Sequence, residues 1–429
     1  MASFLAENLS IIQQRWPGIA LALATTACAP RAELVQDGPQ ATLLIDGIHL
    51  TSSYDRLAEA RLQASLIPEG AAEAWVYGFG LGDLPRVLLS RKQLKRIHVV
   101  IMNPGVVRHA CRNFDHGDWL QNPRINLATA QDLPTLRFPF AALPSSLQLA
   151  EDGASRLRDL IVLALSTPFI GSKHRVDDPQ LRQRLEENES FVLRDGDVAS
   201  LFGAYAGKSV VVAGAGPTLS LHYESLRLKR GDYCLIAVDA ALRPLFKAGI
   251  QPDAVVVVDA HETKILPFFQ DVELAAFSGT PLVYFPVVHP RVLEHWPGPR
   301  LVGYSEHGLY QDFAMRHPRG RLFSSGSVIH PAVDLAVKMG AAKIILLGAD
   351  FSFPGAVSHV AECVVRRDMP TGSQEHWVLN GHGRRVSTSL AMRGFLRDLE
   401  AFMERHPEVQ FVNGSRDGAL IQGADYCGW

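Results

Sequence analysis

Cysteine, long apolar runs and an excess of either charge are all scarce in this 429-residue chain. Its five cysteines, Cys28, Cys111, Cys234, Cys363 and Cys427, contain no C-x-x-C pair. So odd and sparse a set argues against a disulfide framework and for a reducing compartment, the cytoplasm. No apolar run approaches the roughly 18 residues of a membrane span. "IALALATTACAP" at 19–30 has the apolar character of a signal-peptide core, but Arg15 is the only basic residue upstream. We read it as a buried helix or strand. Lys and Arg number 42 against 44 Asp and Glu, a net charge of −2, which argues against a dedicated nucleic-acid binder. A G-x-x-x-x-G-K-[ST] loop for ATP is missing too.

What is present is an α/β pattern, twice. From about 1 to 180, "ATLLIDGIHL" reads as a strand or hairpin arm. "AEAWVYGFGLGDLPRVLLSR" reads as strand, glycine turn and helix, and "RIHVVIMNP" as the next parallel strand. Gly78, Gly80 and Gly82 have the spacing of a cofactor loop. The next strand, however, ends near Asn103, where a nucleotide site of this architecture places an acid for the ribose. A tight packing turn is the better reading. Residues 181–206 read as a helical connector. It holds Asp195-Gly196-Asp197, a D-x-D of the metal-and-sugar-nucleotide kind that helix capping also explains.

From 207 to 429 the strands are denser: "SVVVAGAG", "YCLIAVDA", "AVVVVDAH", "PLVYFPVV", "RLVGYSE", "AKIILLGADF" and a short "VQFVNGS". Near-continuous Val, Ile and Leu is what strands buried on both faces require. The expectation is two Rossmann-like doubly wound domains, 1–180 and 207–429.

Ligands of such sheets lie at the carboxyl ends of the strands, where strand order reverses. The residues there are Gly214, Gly216, Pro217 and Thr218, then Asp239, Asp259 with His261, and Asp350. Gly214 and Gly216 match G-x-G-x-x-G, but Leu219 replaces the third glycine that lets helix and strand pack closely around NAD. The N–H groups after Pro217 are expected to meet a phosphate, so a nucleoside monophosphate fits better. Ser325, Gly326 and Ser327 precede a second helix and read as a second anion site or as simple caps. Two such helix starts suggest a ligand with two acidic groups. His376 and His382 flank Asn380 in what reads as a polar surface loop.

"GAGPTL", "AVDAALRPLFKAGIQPDAVVVVDAH", "SSGSVIHPAVDLAVKMGAAKIILLGADFSF" and His359 together resemble, in order, the central domain of the motility accessory factor (Maf) family of flagellin glycosyltransferases. The glycine loop and the serine segment are also similar to the bacterial sialyltransferase fold. The resemblance covers roughly 180–426. It implies transfer of a pseudaminic- or legionaminic-type nonulosonic acid from a CMP-activated donor to Ser or Thr of flagellin, in support of flagellum assembly and motility. In that reading Gly214, Gly216, Pro217, Thr218, Asp239 and Asp259 bind the nucleotide, and Ser325, Gly326 and Ser327 bind the sugar carboxylate. His359 takes the acceptor proton with Asp350 beside it, an Asp259–His261 pair being the alternative. No metal or other cofactor is required, since CMP leaves as a monophosphate. Three rivals stay open. The central segment also looks like archaeal 6-hydroxymethylpterin diphosphokinases, which use ATP and Mg²⁺. A flagellin-binding accessory without catalysis is the second, and NAD-dependent oxidoreduction comes last.

Overall fold

A computed structural model describes residues 4–26, 31–36, 40–171, 178–369 and 376–426. The chain divides into two compact α/β units, 1–166 and 167–429. Cys28, Cys427, the end of "IALALATTACAP" and the start of the charged stretch near 174 lie outside the described residues. Cys111, Cys234 and Cys363 are buried free thiols.

In the first unit, Ala32–Val35 (β1), Thr42–Ile45 (β2) and Ile48–His49 (β3) form a small antiparallel sheet. Glu73–Tyr77 (β4), Arg96–Ile101 (β5), Ile125–Thr129 (β6) and Phe140–Ala142 (β7) form a parallel sheet in the order β6-β5-β4-β7. Strand order therefore reverses at β4, which is followed by Gly78, Gly80 and Gly82, all at positive φ. The room that side chains would need there is taken by Ser146, Leu143 and Trp119 respectively. Asn103 caps the helix Pro104–Asn113, its Oδ1 accepting from the N–H groups of Gly105 and Val106. These glycines form a packed turn filled by the unit's own side chains.

In the second unit the strands Gly196–Asp197 (β8), Ser209–Ala213 (β9), Cys234–Val238 (β10), Ala254–Val257 (β11), Leu282–Tyr284 (β12), Arg300–Val302 (β13) and Lys343–Leu347 (β14) are parallel. Trp377–Leu379 (β15) and Arg385–Ser387 (β16) form a separate antiparallel hairpin. Gln410–Asn413 (β17) and Asp425–Tyr426 (β18) complete a nine-stranded sheet, β18-β17-β14-β9-β10-β11-β12-β13-β8. Its central strands are apolar because both faces are covered: the helix Ile329–Lys338 packs on β9, β10 and β14, and Asp239–Lys247 on β10 and β11.

The expected connector 181–206 is incorporated into this unit, with β8 pairing to β13 as an edge strand. The D-x-D motif explains why. Asp195 takes the Arg300 guanidinium on both carboxylate oxygens, at 2.8 and 2.9 Å, and the Tyr284 hydroxyl at 3.0 Å. Asp197 accepts from the N–H groups of Ala199 and Gly320. Both carboxylates are spent on holding the edge, so the motif is structural.

Breaking a largely buried pair leaves its partner uncompensated, so Asp195→Ala is expected to cost about 3 kcal/mol. Urea unfolding followed by circular dichroism measures this; an unmoved midpoint would mean that β8 is held by other contacts.

Candidate functional site

Strand order in the second unit reverses between β9 and β14, where the two chain turns meet closely. Gly214 N–H donates to Leu347 O and Gly216 N–H to Gly348 O, both at 2.8 Å. A Cβ on Gly214 would lie 2.5 Å from Gly348 O, and one on Gly348 equally close to Gly214 O. Only glycine on both sides permits this contact.

Beneath the contact sits Asp350, 5% exposed. Its Oδ2 accepts the Thr218 N–H at 2.9 Å, and its Oδ1 accepts the Thr218 hydroxyl at 2.5 Å. Burial pushes its pKa up to about 6, against the pull of the two Thr218 bonds. The anion at this turn is thus the protein's own. The N–H groups of Gly214 and Gly216 go to the β14 turn. Thr218 N–H goes to Asp350 and Leu219 N–H to Gly216 O, and Pro217 has none. Residues 217–222 form a 3₁₀ turn rather than an α-helix. The N–H groups of Gly214, Gly216, Thr218 and Leu219 are thus bonded within the protein, and Pro217 and Thr218 stand on the wall of a cleft.

The serine segment is also bonded within the protein at Ser325. Ser325 donates its N–H to His330 Nδ1 at 3.1 Å and its hydroxyl to Asp398 at 2.6 Å. With Nδ1 accepting, His330 donates from Nε2 to Phe395 O at 2.9 Å. Ser327 Oγ accepts the Ile329 N–H, and Gly326 faces the Phe395 ring at φ +83. Ser325 is thus engaged within the protein, because the buried His330 needs fixed partners for both nitrogens.

Asp239 begins its helix with a carboxylate 3% exposed. Its one hydrogen bond among the described residues comes from the Ala240 N–H at 2.7 Å. Burial, then the neighbouring Asp259, drives its pKa up to about 7. Asp259 accepts the His261 backbone N–H at 2.9 Å, so their contact does not use the imidazole. His359 bonds through Nδ1 to the Ser358 hydroxyl at 3.0 Å, and the adjacent Val360 N–H to Ala215 O fixes it beside the glycine loop. Burial and then Arg367 lower its pKa. Asp350 does not orient His359, since both its oxygens are held by Thr218.

Sequence reasoning missed a cleft of about 460 Å³ at the reversal point. Pro217, Thr218 and Leu221 form one wall, and Pro354 and Gly355, which follow β14, another. The β15–β16 hairpin supplies Asn380, Arg384, Arg385 and Val386, and Asp417 enters after β17. Asn380 Oδ1 accepts the N–H groups of His382 and Arg384, both at 3.0 Å, and so closes the hairpin turn. The signal was present in "NGHGR", an Asn-Gly pair with a second glycine after the apolar triplet "WVL". His382 lies 3.3 Å from Asp417, and His376 3.2 Å from the Arg393 guanidinium. Among the described residues no group of three or more His, Cys, Asp or Glu is arranged for a metal ion.

Comparison with known proteins places part of this unit. Residues 183–356 match the family model described as 6-hydroxymethylpterin diphosphokinase MptE-like. A solved MAf glycosyltransferase from Magnetospirillum magneticum AMB-1 is similar at 17% identity, covering 99% of this chain and 74% of its own, with a TM-score of 0.47. A structure reported for the pyruvate reductase of Chlamydomonas reinhardtii is similar at 14% identity over 67% of this chain and 84% of its own, with a TM-score of 0.15. No curated protein matches the sequence. Among the described residues no helix is long and apolar enough to cross a membrane.

The raised Asp350 pKa has a definite sign. The fold favours the protonated acid, so stability falls as pH rises from about 4 to about 7, by on the order of 3 kcal/mol for this group. Asp350→Asn keeps an oxygen for the Thr218 N–H and an NH₂ for the Thr218 hydroxyl, without titrating. The D350N protein is therefore expected to gain in urea midpoint over the parent between pH 4 and 7. Asp239 titrates in both proteins, so the difference isolates Asp350, and parallel pH profiles would refute the assignment.

Proposed function

We propose that the second unit is a glycosyltransferase that moves a nonulosonic acid from a CMP-activated donor to Ser or Thr hydroxyls of flagellin, in the cytoplasm. The observation that carries this reading is the polar cleft at the strand-order reversal, the place where a doubly wound sheet binds its ligand. Its walls offer a cation, amide and hydroxyl partners and a carboxylate, a set suited to a charged, polyhydroxylated molecule. The identity of donor and acceptor rests on the motif resemblance.

In this reading, Pro217 and Thr218 bound the nucleotide side, and Asp239 and Asp259 at the ends of β10 and β11 meet donor hydroxyls. His359, kept neutral by burial, accepts the proton of the attacking hydroxyl as the glycosidic bond to CMP breaks and the bond to the acceptor oxygen forms. CMP leaves as a monophosphate dianion, so the step requires no metal.

A second reading is favoured by one observation, the MptE-like match over 183–356, which is named for a pterin diphosphokinase. The two differ in nucleotide. Titration with CMP, with ATP plus Mg²⁺ and with NAD, followed by thermal melting, separates them, because a ligand bound only by the native state raises Tm. We expect a shift with CMP. A shift with ATP only when Mg²⁺ is present supports diphosphate transfer, and a shift with none supports a non-catalytic flagellin-binding role.

A general base contributes about 10²–10⁴ in rate. His359→Ala is therefore expected to lower transfer by at least about 100-fold while leaving CMP binding unchanged. Normal transfer by this variant would remove His359 from the mechanism.

A further inference from the structure

Arg384 stands on the wall of the reversal-point cleft. Its side chain is exposed and, among the described residues, has no ion-pair or hydrogen-bond partner; its backbone N–H donates to Asn380 Oδ1 and its carbonyl oxygen accepts the Asn380 N–H. Asn380 lines the same cleft at 7% exposure. Two backbone N–H groups point at one end of its amide, which fixes that end as the oxygen. The Nδ2 end is left without a protein partner among the described residues. That end is the accessible part of an otherwise buried side chain, a donor open to a ligand or water in the cleft. Two donors of different kind, a guanidinium and an amide, therefore share one cleft.

The hairpin that carries them is firmly placed. Asn380 bridges Ala419, Leu420 N–H donates to Leu379 O, and Gly381 N–H donates to Arg416 O. Ala419 N–H in turn donates to Asp350 O at 2.8 Å. The two donors are thereby tied through the 416–420 turn to the residue that clamps the glycine loop. Asp417, from the same turn, brings an acceptor-only group to the cleft, where a second anion would be repelled and a hydroxyl welcomed.

We propose that Arg384, with Asn380 beside it, receives the carboxylate of a sugar acid in this cleft, while Asp417 accepts from the sugar's hydroxyls. Arg384 is then a specificity-determining residue, not a catalytic one. The inference rests on the reading of the cleft as the donor site. It also moves acid recognition from Ser325, Gly326 and Ser327 to the hairpin, Ser325 being bonded internally to His330 and Asp398. A guanidinium matches a planar carboxylate with two parallel N–H bonds, which an ammonium cannot reproduce.

The test compares wild type with Arg384→Ala and Arg384→Lys. CMP and CMP-N-acetylneuraminate are measured by calorimetry, and free N-acetylneuraminate and its methyl ester by saturation-transfer NMR. Because Arg384 is exposed, its loss leaves the fold intact, as an unchanged melting curve will verify. In wild type the free acid binds and the ester does not. In R384A the free acid is lost, and the affinity that the sugar adds to CMP falls at least tenfold. CMP itself stays within twofold, and R384K is intermediate. If R384A binds the free acid and CMP-N-acetylneuraminate as wild type does, or if wild type never distinguishes acid from ester, the assignment of Arg384 is overturned while CMP binding upholds the donor-site reading. If R384A loses CMP as strongly as the CMP-sugar, and inorganic phosphate competes, the guanidinium serves phosphate and the proposal is wrong. If wild type binds the free acid through Arg384 but neither CMP nor CMP-N-acetylneuraminate, the carboxylate site stands and the CMP-donor reading falls.

Discussion

The second unit is organised around one buried carboxylate. Asp350 closes the crossing of two chain turns by taking both the amide and the hydroxyl of Thr218, 132 residues earlier in the sequence. Burying an acid is costly unless its oxygens are hydrogen-bonded, and Thr218 supplies one donor to each. The backbone pays attention to the same point: Cβ atoms on Gly216 or Gly418 would run into the Asp350 carboxylate. Through Asp350 O and Ala419, the clamp reaches the turn on which the β15–β16 hairpin rests. The shape of the cleft is therefore a consequence of how one acid is satisfied.

The two units make an instructive pair, because each has a glycine turn where strand order reverses. In the first, Leu143 and Ser146, which follow the returning strand β7, fill the space at Gly78 and Gly80. In the second, the returning strand β14 brings Gly348 and Asp350, and the space beyond them is walled by Pro354, Gly355 and a polar hairpin. The same topology gives a packed turn or an open cleft according to whether the residues after the returning strand are apolar and inward or small and polar. A glycine pattern alone does not distinguish these outcomes.

This bears on what the sequence could reveal. The strands β9, β10, β11 and β14 were legible because burial on both faces forces unbroken Val, Ile and Leu. The crossing point was legible because Gly214, Gly216 and Asp350 sit at their ends. What the loop holds was not legible: the acceptor for Thr218 lies in the turn after β14, 132 residues on, and pairing across such a distance leaves no local pattern. Ser325 has the same problem, since its partners His330 and Asp398 become neighbours only in the fold. The two-residue edge strands β8 and β18 are too short for alternation to register. The β15–β16 hairpin was visible only as its turn chemistry, and its three-residue arms gave too little apolar pattern to separate it from a polar loop.

Burial also sorts the titratable groups around the crossing. It pushes His359 down, toward the neutral imidazole that can accept a proton, and pushes Asp239 up to about 7, toward the acid that can give one. Groups driven apart in this way supply a proton acceptor and a proton donor at the same pH. In the proposed transfer the two needs are unequal. The acceptor hydroxyl must lose a proton, whereas CMP leaves as a stable anion that needs none. On that proposal His359, tied to the glycine loop through Val360 and Ala215, is the group assigned the proton transfer. Asp239, part protonated and held by a single N–H, is better suited to sharing hydrogen bonds with hydroxyls as donor or acceptor than to ion pairing. A carboxyl group that can play either part tolerates a neighbour such as Asp259, which two fully ionised acids at one sheet edge would not.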